Sequence, residues 1–549
     1  MALGRGLPRL PPGPRPGRRP YCAQPPPGGG GGDSVVRIPW AMRLRLQRGR
    51  QRRREAAAPP PPRAGQLLLR SRRPELSQPR SVTVGRWEQP RLVSAGWKHR
   101  KAFGDYFQLE PSQEAAPALP PPAAAGPRAS FAELGLQPAL LSALPGLAVG
   151  RPTAVQRLAI PALLRGRSAL CAAETGSGKT LAYLLPLLDG LLSRPEPEPA
   201  PEPGPGPGPG RGVPARPRGL VVLPSRELAA QVRGVAAALC RPAGLWVRAL
   251  EGGGAAGGLR RQLRAPPPGA AVLLGTPGAL RAALRRRLLA LGRLRWLVLD
   301  EADALLDASF AALLEEILAQ APPAVGAPGP AGPGEVRTQV VVVGATFPAG
   351  LSQLLGKFTD VGRFVTLATR SLHSLPPHVQ QKFVRLKCRD KLTELLQLIK
   401  DRRPSAGAVL VFCNNASTVN WLGYILDDHK IKHLRLQGQM SAASRAGIFA
   451  TFQKGEVDIL VCTDLAARGL DTSSVQLVVN YDFPATLQDY LHRAGRVGRV
   501  SSKVPGAVVS FVTYRWDVDL VRKIETAARK RTDLPGMESS IKEPLPKVT

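Results

Sequence analysis

At 549 residues the chain is longer than one hydrophobic core supports, so two or more domains are expected. Lysine and arginine total 76 against 40 acidic residues, a formal charge of +36. That balance puts a phosphate backbone first among partners, with a compositional drift toward Arg, Ala, Gly and Pro as the competing source of the charge. Apolar residues make up 43%, yet none of their runs reaches the ~18 charge-free residues of a spanning helix, so membrane insertion is not expected. The six cysteines, at 22, 171, 240, 388, 413 and 462, form no CxxC pair and suggest neither a metal site nor a disulfide framework.

Taken in chain order, residues 1–54 hold thirteen arginines and one acid, Asp33, around a PPPGGGGG tract. Such a segment buries no core. Its basic-apolar alternation reads as a mitochondrial transit peptide within 1–54, with a basic nucleic-acid-binding or nucleolar arm as the other reading. Residues 56–125 stay rich in Pro, Ala and Arg, so 1–125 is expected to be a disordered leader, with one short ordered patch around Trp87 to Phe107. Short apolar runs then alternate with helical stretches: SALCAA (168–173), GLVVLP (219–224), AAVLLG (270–275), WLVLD (296–300) and QVVVVGAT (339–346). A second series follows: AVLVFC (408–413), HLRLQG (433–438), DILVCTD (458–464), VQLVVNYD (475–482) and AVVSFV (507–512). Strands alternating with helices imply parallel sheets, hence an α/β fold with two tandem domains. Their expected limits are 126–368 and 381–530, with a Pro-Pro hinge at 369–380 and a tail at 531–549. Proline-glycine tracts at 194–212 and 321–334 read as surface loops between core elements.

The strongest chemical signal is AETGSGKT, residues 173–180, placed between a strand and an apolar helix. Gly176 and Gly178 let the backbone wrap a phosphate chain, the helix N-terminus supplies N–H groups, Lys179 reaches the terminal phosphates and Thr180 can ligate Mg²⁺. A partner carboxylate motif closes the strand WLVLDEAD: Asp300 is suited to hold the metal through water, and Glu301 to polarise the attacking water.

DEAD at 300–303 behind AETGSGKT at 173–180 resembles the DEAD-box family of ATP-dependent RNA helicases, and further family motifs follow over about residues 131–500. The resemblance implies two RecA-like domains, ATP and Mg²⁺ as cofactors, and RNA as partner. By it, Phe131 stacks on adenine and Gln156 of PTAVQ reads its edge, while Ala173, Glu174, Thr175, Gly176, Ser177, Gly178, Lys179 and Thr180 hold the nucleotide phosphates. Pro224 and Arg226 of PSRELAAQ, Gly253 of the triplet 252–254, and Thr276 and Gly278 of TPGAL would grip RNA backbone, a grip blind to sequence. In TDLAARGLD and HRAGRVGR, Thr463 would touch RNA, Asp471 the ribose, and Arg496 and Arg499 would act as arginine fingers. His492 and the loop Gly344, Ala345, Thr346 would couple the ATP and RNA sites.

Three positions depart from the family pattern. Ala279 stands where TPGR has arginine, Gly344 where SAT has serine, and Ala442 where the QxxR element has glutamine, though Arg445 remains. These departures leave open an ATP-gated RNA clamp with little unwinding beside the helicase reading; a DNA translocase is the third possibility. The GAT variant, NYDFPATLQDYLHRAGRVGR and WLGYILDDHKIKHLRLQGQM, with the arginine-rich leader, resemble most the animal mitochondrial member implicated in assembly of the large mitoribosomal subunit. That likeness implies a monomeric catalytic unit acting on structured ribosomal RNA in assembly particles of the mitochondrial matrix, with the nucleus or nucleolus as alternative or additional location.

Overall fold

The computed structural model describes residues 67–78, 84–85, 88–111, 130–193, 214–250, 256–264, 272–306, 308–325, 337–347, 350–369, 372–402, 407–467, 472, 474–498 and 506–537. The leader 1–54, Trp87 of the expected ordered patch, the insert 194–212 and residues 326–334 of the second insert lie outside them.

The first described strands, β1 (Leu67–Ser71) and β2 (Tyr106–Pro111), pair antiparallel. Seven strands then build one sheet: β3 (Ala169–Ala172), β4 (Gly219–Val222), β5 (Val247–Leu250), β6 (Val272–Gly275), β7 (Trp296–Leu299), β8 (Gln339–Gly344) and β9 (Val365–Ala368). Their spatial order is β5-β6-β4-β7-β8-β3-β9, parallel throughout. Strands β3, β4, β6, β7 and β8 are buried at every position. Continuous rather than alternating apolar runs such as QVVVV are what a parallel sheet covered on both faces requires. Helices α1 (Ala154–Leu164), α2 (Lys179–Leu192), α3 (Arg226–Cys240) and α4 (Pro277–Arg285) supply part of that cover. Thr153 and Gln156 form a capping box at α1, Ser225 caps α3 through the Leu228 N–H, and Pro277 opens α4.

The second sheet contains β10 (Gln380–Arg385), β11 (Ala408–Phe412), β12 (Leu434–Leu436), β13 (Ile459–Cys462), β14 (Val475–Asn480) and β15 (Ala507–Val512), mutually parallel. Among its helices are α5 (Ala416–Asp428), α6 (Leu487–Ala494) and α7 (Arg515–Lys530). The chain crosses from the first sheet to the second between Ala368 and Gln380. Every strand read from the sequence is present; β1, β2, β5, β9 and β10 are additional. Among the described residues no helix is long and apolar enough to cross a membrane.

The expected leader through residue 125 needs correction between residues 67 and 111. Strand β2 joins the edge of the second sheet antiparallel to β10, from Gln381↔Leu109 to Val384↔Tyr106, giving the order β1-β2-β10-β15-β14-β11-β13-β12. Between the two strands, Trp97 is fully buried against Phe107, which stacks 4.8 Å from Phe383. Glu525 of α7, itself fully buried, accepts from the Val93 N–H (2.8 Å), the Ser94 N–H (3.0 Å) and the Ser94 hydroxyl (2.7 Å), and pairs with Arg529 at 2.8 Å. A paired and fully bonded buried carboxylate costs little, whereas a lone one is expensive. Average composition concealed this segment because its two strands are short and separated by a proline- and arginine-bearing loop.

Candidate active site at the domain cleft

Because β3 ends at Ala172 and α2 begins at Lys179, residues 173–178 form the turn between them. Gly176 (φ +82°) and Gly178 (φ +91°) occupy the left-handed region, open to glycine without strain. A Cβ at Gly178 would also lie 2.6 Å from Gln156 Nε2. Lys179 Nζ donates to the carbonyls of Ala173 (2.8 Å) and Glu174 (3.2 Å), and the Ser177 hydroxyl to that of Glu174 (2.7 Å). The loop thus folds around the ammonium group. Burial pulls the Lys179 pKa down, against the opposing charges of Asp300, Asp303, Glu301 and Glu174.

Gln156 is almost wholly buried; its amide donates to the Gly178 carbonyl (3.0 Å) and its oxygen accepts from the Thr153 N–H (2.9 Å). The residue expected to read adenine therefore braces the phosphate loop. Phe131, expected to stack on the base, is 5% exposed and packs in the core cluster with Val155 and Leu181. Neither lines the cleft cavity.

Asp300 leaves the end of β7 with its N–H bonded to the Val222 carbonyl, and Glu301 follows in the left-handed region at φ 50°, ψ 54°. A non-glycine residue there costs about 1–3 kcal/mol, a strain that clusters at functional turns. Asp300 accepts from the Tyr183 hydroxyl (2.9 Å) and the Glu301 N–H (2.9 Å). Burial, then the neighbouring Glu301, push its pKa up to about 6; Lys179, Tyr183 and the Glu301 N–H oppose the rise. Asp300, Asp303, Glu301 and Glu174 surround the single Lys179 ammonium, an excess of negative charge that attracts a cation, and Thr180 lines the same cavity. These residues fit a phosphate-bound Mg²⁺.

A cavity of about 220 Å³ separates the two domains, lined on one side by Thr175, Lys179, Thr180, Asp300 and Glu301, and on the other by His492, Arg493 and Arg496. Asp303 spans it, lying 3.0 Å from His492 Nε2 and accepting from the Gln488 amide at 3.2 Å. Arg445 reaches Glu227 of α3 at 3.4 Å. A Cβ on Gly495 would meet Thr175 Cβ at 2.8 Å, so the phosphate loop approaches the end of α6 as closely as glycine permits.

Arg493 was not singled out in the sequence, although it stands inside HRAGRVGR. It is 1% exposed, bidentate to Asp464 (2.7 and 2.6 Å), and donates also to the Asp482 carbonyl, Asn414 and Asn480. Five donors fanned over the ends of β11, β13 and β14 use the fixed fork of a guanidinium. Tyr183 was likewise missed; its one signal is the four-residue spacing from Lys179 on a helix.

Pro224, Thr276 and Thr463 follow β4, β6 and β13, and Arg226 opens α3, so all stand at the carboxyl ends of parallel strands, where open α/β sheets bind ligands. A Cβ at Gly278 would meet nothing within 4 Å. Ala279 is 3% exposed in the core cluster beneath α4, so an arginine there would point inward as a tether rather than outward to a phosphate. Gly344 ends β8, its carbonyl accepting from the Ala173 N–H; Ala345 lines the cavity, and the buried Thr346 hydroxyl has no partner. A serine Cβ at 344 would sit 2.9 Å from the Thr346 carbonyl. The cross-domain bonds of Asp303 exist without that hydroxyl. Gly253, Asp471 and Arg499 lie outside the described residues, as does the side chain of Ala442.

The sequence matches the family described as DEAD/DEAH box helicase over residues 153–354 and that described as Helicase conserved C-terminal domain over 390–501. It is 54% identical over 522 residues to Probable ATP-dependent RNA helicase DDX28 of Homo sapiens, covering 94% of each chain. It is 32% identical over 399 residues to ATP-dependent RNA helicase fal1 of Schizosaccharomyces pombe, covering 72% of this chain and 90% of that one. Among solved structures, S. cerevisiae Dbp5 bound to RNA and ADP BeF3 aligns with a TM-score of 0.59 at 26% identity, covering 73% of this chain and 94% of that one.

Proposed function

The chain belongs to the DEAD-box family of ATP-dependent RNA helicases, and from that premise we propose that it closes its two domains over ATP and an RNA backbone, separates short duplexes and hydrolyses ATP to let go. Lys179 and the loop 173–180 hold the triphosphate, Glu301 orients the attacking water, and Arg496 with Arg499 stabilises charge on the transferring phosphoryl group. Asp300, through water, and Thr180 would hold Mg²⁺, which would offset the charge of the bound phosphates. Gln156 bears on adenine through the loop it braces, and Phe131 through the packing of α1. Thr463, Pro224, Arg226, Thr276 and Gly278 line the RNA path, joined by Gly253, while Asp471 takes the ribose.

The observation that carries this reading is Asp303 of the DEAD sequence, 3.0 Å from His492 and 3.2 Å from Gln488 across the cleft. A residue of the hydrolytic motif that bonds the opposite domain ties nucleotide state to closure. ATPase activity measured with and without RNA, beside release of a labelled strand from a short duplex, tests it. RNA-stimulated hydrolysis with strand release is expected; hydrolysis indifferent to RNA would overturn it. Stimulated hydrolysis without strand release would instead select the clamp reading, toward which Gly344 points. The setting we propose is assembly of the large mitoribosomal subunit in the matrix, by a monomer, and it rests on the arginine-rich leader. A tagged chain lacking residues 1–54 should lose mitochondrial delivery; unchanged distribution would favour the basic-arm or nucleolar reading.

A further inference from the structure

Outside the cleft lining, the chain leaving the carboxyl end of β15 carries two large aromatic side chains that the core does not use. Tyr514 is 44% and Trp516 67% exposed. Their rings stack on each other with centroids 4.6 Å apart and planes 7° apart. They are rigidly presented: the buried Asp517 accepts from the Tyr514 N–H (2.8 Å) and the Thr513 N–H (3.1 Å), pinning the first turn of α7. Exposed large apolar side chains grouped in this way mark interaction surfaces.

The surroundings are basic and come from three stretches of chain. Arg515 lies between the two rings in sequence, and Lys387 and Arg389, both exposed, follow β10. The docked N-terminal segment adds exposed Lys98, Arg100 and Lys101, and is joined to this edge where Phe103 lies beneath Arg385 (4.9 Å) and Lys387 (5.8 Å). Asp519, paired with Lys98 at 2.7 Å, and Asp390, near Arg389 at 3.5 Å, lie among these cations, and Asp517 and Asp482 also act on this end of the sheet. Lys387, Arg389, Arg515, Arg100 and Lys101 still outnumber the exposed acids around the rings. A protein-binding patch would be depleted of lysine at its centre, whereas grooves for single-stranded nucleic acid combine stacked aromatics with lysine and arginine.

Position supports the same partner. At one level the sheet runs Cys462, Phe412, Asn480, Ser510, Phe383, so the loop after β15 stands on the same edge as Thr463. Three strand spacings separate β13 from β15, roughly 15 Å.

We infer that Tyr514 and Trp516, with Arg515, Lys387 and the N-terminal Arg100 and Lys101, form an accessory site for unpaired RNA emerging from the cleft, one base stacking on the exposed ring of Trp516. The inference rests on the RNA-binding reading and extends it to a surface the helicase motifs do not include.

The test compares uridine oligomers of about 6 and about 20 nucleotides, bound in the presence of a non-hydrolysable ATP analogue. Tyr514→Ala/Trp516→Ala should weaken the longer oligomer roughly tenfold, leaving the shorter oligomer and the ATPase it stimulates unchanged. Lys101→Gln/Lys387→Gln/Arg515→Gln should make the salt dependence shallower by about 0.7 in log–log slope for each phosphate contact removed. Photocrosslinking of iodouridine in the longer oligomer to the wild-type chain should label the peptide that carries Trp516. Equal affinity of wild type and variants for the longer oligomer, equal losses on both oligomers, or crosslinks confined to the cleft would each overturn the site. A wild type that binds neither oligomer would overturn the RNA-binding reading and this site with it.

Discussion

The two domains share a parallel-sheet plan and divide the work differently. In the first, the residues proposed to do the chemistry sit on single turns: the loop 173–178 and the pair Asp300–Glu301 each hang from the end of one strand. In the second, the central residue is Arg493, which carries no reacting group and instead binds the ends of three strands together. The first domain therefore depends on what its side chains are, the second on where they are held. Substitutions at those turns of the first domain should change rates while sparing the fold, and loss of Arg493 in the second should change the fold or its docking.

The largest expected effect tests the second half of that contrast. Arg493→Met leaves Asp464 without its bidentate partner and several carbonyl and amide acceptors unmet, and should destabilise the second domain by about 3–5 kcal/mol. Chemical denaturation would read it; a loss below about 1 kcal/mol, within the range of surface pairs, would show the network to be dispensable. In the first domain, Glu301→Gln should lower hydrolysis by roughly 10²–10⁴-fold while ATP still binds and the melting temperature holds, whereas Lys179→Ala should abolish ATP binding itself. Similar turnover in all three proteins would break the assignment.

Gly495→Ala sharpens the comparison at the seam. The added methyl meets Thr175 only when the domains are together, so closure should weaken by about 1–3 kcal/mol. RNA retention with an ATP analogue would fall about tenfold or more while stability of the chain barely moves. The smallest effect belongs to Tyr183→Phe. Removing the hydroxyl takes away a bond that favours ionised Asp300, so its pKa rises further above about 6, costing about 0.5–1.5 kcal/mol. The acid limb of the ATPase profile should move upward by about one pH unit or less. For stability the sign is opposite to that of a salt-bridged acid: with a folded value above the ordinary one, Asp300 keeps a proton that the unfolded chain has lost. Its contribution therefore falls as pH rises from about 4 to about 6.

How far the sequence discloses this arrangement follows the same division. AETGSGKT and DEAD are legible because each is a contiguous run whose strand-loop-helix context is itself written in apolar residues. Strands such as QVVVV are equally plain, because burial on both faces leaves an unbroken apolar signature. By contrast, β10, QQKFVR, is flanked on one side by β2 and offers no such run, and the role of Arg493 depends on Asp464, Asn414 and Asp482, which only the fold brings together. Gln156 shows the intermediate case: the motif marks the residue, and the contact with Gly178 shows its present partner.

The attachment of β2 to β10 also bears on how the protein is made. Gln108 pairs with Lys382, 274 residues later in the chain (382 − 108), so the earliest-synthesised part of the second domain waits for the rest. At about 5–20 residues per second the interval is roughly 15–55 s, during which Trp97, Phe107 and Leu109 have no sheet to cover them. Pairing over such a separation raises the contact order of the second domain and slows its folding relative to the first. The first domain, whose strands all lie within that interval, can be complete before the second has an edge to close.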